Sequence, residues 1–326
     1  MTQGYAIRIA RTGGPEVMDV RDLDPAPPGP GEALVRHEAV GLNFIDTYHR
    51  SGLYPVALPS GLGNEAAGVV EAVGAGVTGL AVGDRVGYFT GPLGAYATHR
   101  AVAAERLVTL PAGLSFEAAA GTMLKGATAE YLVERCARVE AGQTVLVHAA
   151  AGGVGSILVP WLKAIGATVI AHAGSAEKAA IAERLGADHA LSCPMDALAE
   201  EVRRLTEGEG VPVVLDGVGA ASWTTSLGSV ARRGLIVSYG NASGAVPPFT
   251  ALDLTRAGSI FVTRPTLADY AATAGEMRAC ATRLFEMLEN GVVQPQIGAR
   301  YKLRDAAEAH RAIESRATTG SSVLIP

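Results

Sequence analysis

Three small residues, Ala150, Gly152 and Gly155, follow an apolar stretch of the sequence and precede a helix-like one. The spacing A-x-G-x-x-G at such a junction is typical of a dinucleotide-binding turn, where small residues admit a pyrophosphate and let the helix approach the strand. N–H groups at the helix start carry partial positive charge toward such an anion. The alternative is a tight turn that binds nothing. We predict that this loop contacts a dinucleotide through Ala151, Gly152, Gly153 and Val154.

The kind of dinucleotide is indicated by the end of the next strand. An NAD site usually places a carboxylate there, against the ribose 2′-hydroxyl. In this sequence no acid occurs before Glu177, whereas Gly174 and Ser175 offer hydrogen-bond donors and Lys178 a cation. A 2′-phosphate meets no repulsion at such a site, which favours NADPH over NADH. Lys178 taken alone is more typical of a solvated helix residue than of a phosphate ligand.

The chain has two regions that differ in sequence pattern. Up to about residue 125, short strands such as 33–40, 66–74 and 84–89 are separated by glycine and proline turns, which predicts a barrel-like β domain. After that, six apolar strand candidates alternate with helices, which predicts a doubly wound parallel sheet. The strand candidates are 144–149, 167–172, 188–192, 213–218, 235–240 and 259–263. The tail, with extended pieces at 299–303 and 321–326, is expected to rejoin the first domain.

Composition excludes several classes of protein. The 326 residues are 48% hydrophobic and carry a net charge of −5 without a basic run, which argues against a nucleic-acid partner. Neither a signal peptide nor an apolar stretch long enough for a membrane helix is apparent. The cysteines Cys136, Cys193 and Cys280 have no metal-site or redox-motif spacing, so reduced structural thiols and a cytoplasmic location are expected.

Several segments together resemble one family. They are GLNFIDTYHRSGLYP (41–55), LPSGLGNEAAGVVEAVG (58–74), GDRVGY, LKGATAEYL, HAAAGGVGS, RRGLIVSYGNASGAV and ESRATTGSSVLIP. In this order they resemble the quinone oxidoreductases, the zeta-crystallin-like branch of the medium-chain dehydrogenase/reductase superfamily. The resemblance implies an α/β protein in which a Rossmann domain (127–263) is inserted into a GroES-like β-barrel domain (1–126 and 264–326). It also implies a homodimer formed through the last Rossmann strand.

The segments that hold zinc in other members of this superfamily are altered. Asn43 and Asn64 stand where a ligand cysteine and a ligand histidine occur, and amides are poor zinc ligands. The histidines have no ligand spacing, so we predict no metal. Alcohol oxidation usually relies on zinc to stabilise an alkoxide, whereas a quinone is already electrophilic.

The resemblance assigns further residues to the cofactor. It places the segment Phe44, Ile45, Asp46, Thr47 and Tyr48 at the nicotinamide half, Tyr131 near the ribose and pyrophosphate, and Gly217, Tyr239, Gly240 and Asn241 at strand ends. Arg264 and Arg316 are implied to reach the cofactor, although salt-bridge roles suit them equally well. We expect Asp216 to be structural. Cys193 stands where similar bacterial enzymes often have a tyrosine, which weakens the implied 2′-phosphate contact.

Four polar residues are candidates for the substrate pocket, namely Asn43, Tyr48, Tyr54 and Lys125. Either tyrosine hydroxyl could stabilise a developing oxyanion, or the rings could simply pack. The predicted function is NADPH-dependent reduction of a small quinone held in the cleft between the domains. Reduction of α,β-unsaturated carbonyls is the enzymatic alternative, and an NADPH-binding, RNA-associated protein is the alternative from another class.

Overall fold

The computed structural model describes residues 4–316 and 318–326. The chain folds into two compact units. The first unit contains the chain up to Lys125 together with Ala271–Phe285 and Pro295–Pro326, and the second contains Gly126–Tyr270 and Glu286–Gln294. The first break lies next to the predicted boundary at 126/127. The predicted return segment 264–326 is divided between the units, because residues 264–270 and 286–294 remain with the second.

The described residues form sixteen β-strands and ten α-helices. The strands are β1 (Gly4–Ile9), β2 (Met18–Leu23), β3 (Glu32–Leu42), β4 (Ser60–Gly61), β5 (Ala66–Val73), β6 (Arg85–Tyr88), β7 (His99–Ala103), β8 (Val108–Thr109), β9 (Thr144–Val147), β10 (Thr168–His172), β11 (His189–Leu191), β12 (Val211–Asp216), β13 (Val230–Ser238), β14 (Phe261–Thr263), β15 (Ile297–Lys302) and β16 (Ser321–Ile325). The helices are α1 (Phe44–Ser51), α2 (Phe116–Glu130), α3 (Gly155–Ile165), α4 (Ala176–Arg184), α5 (Leu198–Leu205), α6 (Trp223–Ser229), α7 (Ala251–Arg256), α8 (Leu267–Tyr270), α9 (Ala274–Glu289) and α10 (Ala306–Glu314).

The first unit is built mainly from β-strands. Its larger sheet has the order β15-β16-β3-β5-β6-β8, with β7 also paired to β3, and its smaller sheet has the order β2-β1-β4. Strand β3 alternates half-buried and buried residues over most of its length, as expected when one face of a strand covers a core. The tail rejoins this sheet as predicted, since β16 pairs antiparallel with β3.

The second unit is the predicted doubly wound domain. Its six strands are all parallel and have the order β11-β10-β9-β12-β13-β14. The central strand β9 is fully apolar beyond its first residue, which suits a strand covered on both faces. Strands β10 and β11 lie on one side of β9 in the sheet, and β12, which follows them in the chain, lies on its other side. The carboxyl ends of β9, β10, β12 and β13 therefore share one edge, where such sheets bind ligands.

Candidate active site

The glycine loop connects β9 to α3 at the carboxyl edge of the parallel sheet. Ala149 has a φ of +51°, and its carbonyl accepts a hydrogen bond from the Gly152 N–H at 2.9 Å. A Cβ added to Gly155 would lie 2.4 Å from the Ala149 carbonyl oxygen and 2.7 Å from the Ala150 Cα. No side chain fits there, so the start of α3 is pressed against the loop as the motif requires. Residues Gly152, Gly153 and Val154 are half-buried beside this contact.

The neighbouring strand β10 ends at an open position. A Cβ added to Gly174 would meet no atom within 4 Å. Ser175 caps the start of α4, because its hydroxyl oxygen accepts a hydrogen bond from the Lys178 N–H at 3.3 Å. Hydrogen bonds from its own backbone N–H and from the Ser175 hydroxyl hold the pKa of the Glu177 carboxyl below its usual value. This exposed acid lies past the strand end, in the first turn of α4.

Asp216, the last residue of β12, organises the next part of the edge. It is fully buried, and its carboxylate accepts hydrogen bonds from the Val218 N–H at 2.8 Å and from the Ser222 and Ser226 hydroxyls at 2.7 Å each. Ser226 in turn contacts His148 Nε2 at 3.1 Å. Asp216 therefore fixes the loop that follows it.

Gly217 and the end of β13 lie against one another. A Cβ at Gly217 would come 2.8 Å from the Tyr239 ring, and one at Gly240 would come 2.3 Å from the Gly217 carbonyl oxygen. Arg264 Nη1 donates to the Ser238 carbonyl at 2.8 Å. With the Asn241 amide oriented to satisfy its neighbours, its oxygen accepts from Arg264 Nη2 at 3.2 Å. The predicted residues at these two strand ends thus form one tightly fitted surface, with Arg264 attached to it.

Tyr131 occupies a different kind of element. It begins a π-helical segment, Tyr131–Cys136, that continues α2. Its buried ring stacks on that of Tyr270 at 4.5 Å between centroids and 16° between planes. The Arg135 guanidinium lies 5.3 Å from the centroid of the Tyr270 ring and donates to the Tyr270 carbonyl at 2.7 Å. π-Helical turns are frequent at functional sites, and this one sets the position of Tyr131.

A buried polar cluster in the first unit gathers three predicted residues around one that was not predicted. Asn43 Nδ2 donates to Glu65 Oε2 at 2.8 Å, and the Asn43 N–H donates to Asp46 Oδ2 at 2.9 Å. Lys125 Nζ lies 4.0 Å from Glu65 Oε2 and donates to the Leu42 carbonyl at 3.3 Å. All four cluster residues are at most 5% exposed.

Burial sets the charge state of this cluster. It raises the pKa of the Glu65 carboxyl to about 7, although Lys125 and hydrogen bonds from Asn43 and the Leu124 N–H lower it. Burial likewise raises the pKa of Asp46 to about 6 and lowers the pKa of the Lys125 ammonium, which the two carboxylates oppose. Perturbed groups clustered in this way are typical of functional sites.

The cluster extends through a chain of hydrogen bonds. Asp46 also accepts from Asn64 Nδ2 at 2.9 Å and from the Tyr96 hydroxyl at 3.0 Å. The Tyr96 oxygen lies 3.0 Å from His310 Nε2. His310 Nδ1 lies 3.0 Å from Arg50 Nη1, and Arg50 pairs with Glu314 at 2.5 Å. Helices α1 and α10 are thereby connected through side chains that the sequence analysis left out of the site.

The aromatic candidates lie along α1 and just after it. Tyr48 is 8% exposed, and its ring contacts Tyr54 edge-on at 5.2 Å and Phe44 at 6.0 Å. Thr47 is buried and donates to the Phe44 carbonyl at 2.7 Å, whereas Ile45 is half-buried. Arg316 is exposed after α10, with a φ of +58°. This packing is compatible with both roles considered for Tyr48 and Tyr54, a hydroxyl that stabilises an oxyanion and a ring that only packs.

The chain shares both its domains with known oxidoreductases. Residues 29–139 match the alcohol dehydrogenase GroES-like domain, and residues 153–284 match the zinc-binding dehydrogenase domain. Together with the parallel sheet and its glycine loop, they define an oxidoreductase of the medium-chain dehydrogenase/reductase class.

Whole-chain relatives narrow this class. A Pseudomonas aeruginosa quinone oxidoreductase is 51% identical, with 98% of this chain and 99% of the relative covered. The structure of Escherichia coli quinone oxidoreductase complexed with NADPH has a TM-score of 0.95 at 44% identity, covering 99% of this chain and 100% of that one. A 2-haloacrylate reductase from Burkholderia sp is 42% identical, with 98% of each chain covered. The chain belongs to the quinone oxidoreductase family.

The zinc implied by the name of one matched domain does not fit these residues. Asn43 and Asn64, at the positions of zinc ligands in other members, direct their amide nitrogens at Glu65 and Asp46. Zinc prefers thiolate, imidazole or carboxylate donors, and here both carboxylates already accept hydrogen bonds from amides. Across residues 4–316 and 318–326, no three His, Cys, Asp or Glu side chains are grouped to hold a metal ion. Nor does any helix there have the length and apolarity needed to cross a membrane.

Glu65 is the site residue that sequence reasoning missed. A signal was present: the acid directly precedes the apolar strand β5, where a carboxylate has no solvent to face. Tyr96 and His310 carried no such signal, because they are 214 residues apart and meet only through the fold.

Proposed function

We propose that this protein reduces quinones with NADPH. The observation that carries the proposal is the carboxyl edge of the parallel sheet, where the close-fitting glycine loop lies beside the open, acid-free end of β10. The names of the relatives support it, since the family's members include quinone oxidoreductases, one of them a complex with NADPH. When bound, the cofactor would supply a hydride from its nicotinamide.

The second unit would hold this cofactor. Gly152, Gly153 and Val154 would receive the pyrophosphate, and Gly174, Ser175 and Lys178 the adenosine ribose with its 2′-phosphate. Glu177 has to turn away from Ser175 for a phosphate to bind there, and its exposure leaves it room to do so. The remaining predicted contacts are Ala151, Gly217, Tyr239, Gly240, Asn241, Arg264 and Tyr131 in this unit and Phe44–Tyr48 and Arg316 in the other.

The first unit would bind the substrate. A quinone that accepts hydride becomes an oxyanion, and a preorganised cation or donor stabilises it. Lys125 lies beside the same Glu65 oxygen as Asn43, and we assign its positive charge this role, with Asn43 as an orienting amide. The hydroxyls of Tyr48 and Tyr54 are the further candidate donors.

Steady-state kinetics test this proposal. NADPH oxidation is followed with 1,4-benzoquinone, a 1,2-naphthoquinone and an enone, and each assay is repeated with NADH. We expect turnover with the quinones, and a higher kcat/KM with NADPH than with NADH. Absence of turnover with both quinones would reject the proposal, and a preference for NADH would reject the assigned 2′-phosphate site.

Reduction of an activated carbon–carbon double bond is the second candidate. It is favoured by the 42% identity to a 2-haloacrylate reductase and by the fold shared with that enzyme, at a TM-score of 0.85. Such a substrate also becomes an anion when hydride arrives, so the same cation would serve it. A kcat/KM with 2-chloroacrylate above that with both quinones would make this the main activity.

A homodimer formed through β14 is part of the proposal. This strand is at the edge of the parallel sheet, and an uncovered apolar edge favours pairing with a second copy. Phe261 on the strand is 64% exposed and Leu252 on α7 is 56% exposed.

A cytoplasmic location and membership of the zeta-crystallin-like branch also remain predictions. The cytoplasmic location is supported by three cysteines that form no disulfide.

A further inference from the structure

Glu65 accepts hydrogen bonds from two elements and sits beside a cation. Oε2 accepts from Asn43 Nδ2 at 2.8 Å, Oε1 accepts from the Leu124 N–H at 2.6 Å, and Lys125 Nζ lies 4.0 Å from Oε2. These neighbours are all donors, so their geometry favours the ionised carboxylate, which accepts only and which forms as pH rises through the Glu65 pKa of about 7. One side chain thus joins the start of α1 to the middle of α2.

The fold makes room for this carboxylate. A Cβ added to Gly41 on β3 would lie 2.3 Å from Glu65 Oε2 and 2.2 Å from the Ala120 carbonyl oxygen. The carboxylate therefore occupies space that only glycine leaves open at this point of the sheet. Groups from β3, from the start of α1 and from α2 are arranged around it, with the residue itself fully buried.

Such an arrangement is a poor way to gain stability. Removing two charges from water is costly, and replacing a buried ion pair with apolar residues is often neutral or stabilising. The amide of Asn43 gains an orientation from it, because the nitrogen must face the carboxylate. Lys125 gains a negative neighbour that opposes the loss of its proton. Both effects act on residues assigned to the substrate.

We propose that Glu65 is a positioning residue, which fixes the orientation of the Asn43 amide and keeps Lys125 charged for stabilising the reduced substrate's oxyanion. This inference rests on the proposed function for its catalytic consequence. Its structural half, the coupling of Glu65 to Lys125, holds without any cofactor or substrate.

The first test needs no turnover. The Lys125 side chain is titrated by NMR of its Cε in the cofactor-free protein, for wild type and for Glu65→Gln. Lys125 is faced by the carboxylates of Glu65 and Asp46, so loss of one of them should lower its pKa by about one unit. The control is Asp188→Asn. Asp188 accepts a hydrogen bond from the Val169 N–H and pairs with Lys163, but it lies in the second unit, just before the edge strand β11 of the parallel sheet. The Lys125 titration should not change in this variant.

The second test is a double-mutant cycle of Glu65 and Lys125, in which kcat is measured with the preferred acceptor. Glu65→Gln should lower kcat about tenfold with little change in the KM for NADPH. In a Lys125→Met background the same substitution should cost much less, because its effect passes through Lys125. Glu65→Asp, which keeps the charge but withdraws it by one methylene, should lower kcat less than Gln does. It replaces Gln in both tests if Glu65→Gln fails to fold.

Outcomes separate the two proposals. An unchanged Lys125 titration in the Glu65 variant overturns the inference, as does an equal loss of kcat with and without Lys125. If wild type reduces neither quinones nor acrylates, the proposed function fails, and the titration alone then decides whether Glu65 controls the charge of Lys125.

Discussion

The Tyr96 hydroxyl donates its proton to Asp46 Oδ2 at 3.0 Å. The direction follows from His310, whose Nδ1 faces the Arg50 guanidinium and must accept. Nε2 then carries the imidazole proton and donates to the Tyr96 oxygen at 3.0 Å. Burial, reinforced by Arg50, lowers the pKa of His310 to about 3, which keeps this imidazole neutral. Each proton in the chain therefore points toward the buried carboxylate.

Tyr96→Phe should destabilise the protein for this reason. The substitution leaves the His310 Nε2–H without its acceptor and removes one donor from Asp46, at a cost of about 1–3 kcal/mol in the free energy of unfolding. Urea unfolding at neutral pH measures the loss. Tyr301→Phe, at a half-buried tyrosine packed against the same core, is the control and should change stability by less than about 0.5 kcal/mol. Equal stability of the two variants would show that the chain of hydrogen bonds contributes nothing.

The stability difference between wild type and Glu65→Gln should depend on pH between about 4.5 and 7. Burial raises the pKa of Glu65 to about 7, so in this range the folded wild type holds a proton that the unfolded chain has released, and Glu65 stabilises the protein less as pH rises. Buried histidines such as His37 and His310, whose pKa burial lowers, act in the opposite direction, but they are present in both proteins and cancel from the comparison. The free energy of unfolding of wild type minus that of Glu65→Gln should therefore fall as pH rises. A difference that stays constant would contradict the raised pKa of Glu65.

The parallel domain was predictable because its signals are local. The apolar strands and the glycine loop each lie within a few residues, and they appear where the sequence indicates. The errors are at strand ends. The last strand begins at Phe261 and not at 259, because Ser259 adopts a φ of +56°, which an extended strand excludes.

The polar cluster of the first unit was only partly predictable. The resemblance led to Asn43, Asp46 and Lys125, whereas nothing in their spacing shows that Glu65 lies between them. Apart from the Asn43–Asp46 contact, the hydrogen bonds of this cluster and its extension join residues 18 to 264 positions apart. The sequence carries no local signal for such pairings, because they form only when distant elements pack together.

Two glycines of the predicted cofactor site should respond differently to alanine. Gly155→Ala places a Cβ 2.4 Å from a backbone oxygen and should lower the free energy of unfolding by about 1–3 kcal/mol. Gly174→Ala meets no atom within 4 Å and should leave thermal stability unchanged. Its methyl group would nevertheless reach into the space assigned to the ribose, raising the Kd for NADPH about tenfold, or about 1.4 kcal/mol. Thermal unfolding and fluorescence titration with NADPH measure the two effects. Unchanged NADPH affinity in Gly174→Ala would remove this glycine from the site.

Phe261→Lys should convert a dimer into a monomer. Its ring is 64% exposed on an edge strand whose outer hydrogen-bonding groups are available to a second copy, and a lysine there disfavours the pairing of two identical edges. Val82→Lys is the matched control. Val82 is equally exposed, at 65%, but it belongs to the first unit and lies outside the proposed β14 interface. Sedimentation at micromolar concentration should give dimers for wild type and for Val82→Lys. A wild-type monomer would exclude the dimer altogether, whereas a dimeric Phe261→Lys would move the interface away from β14.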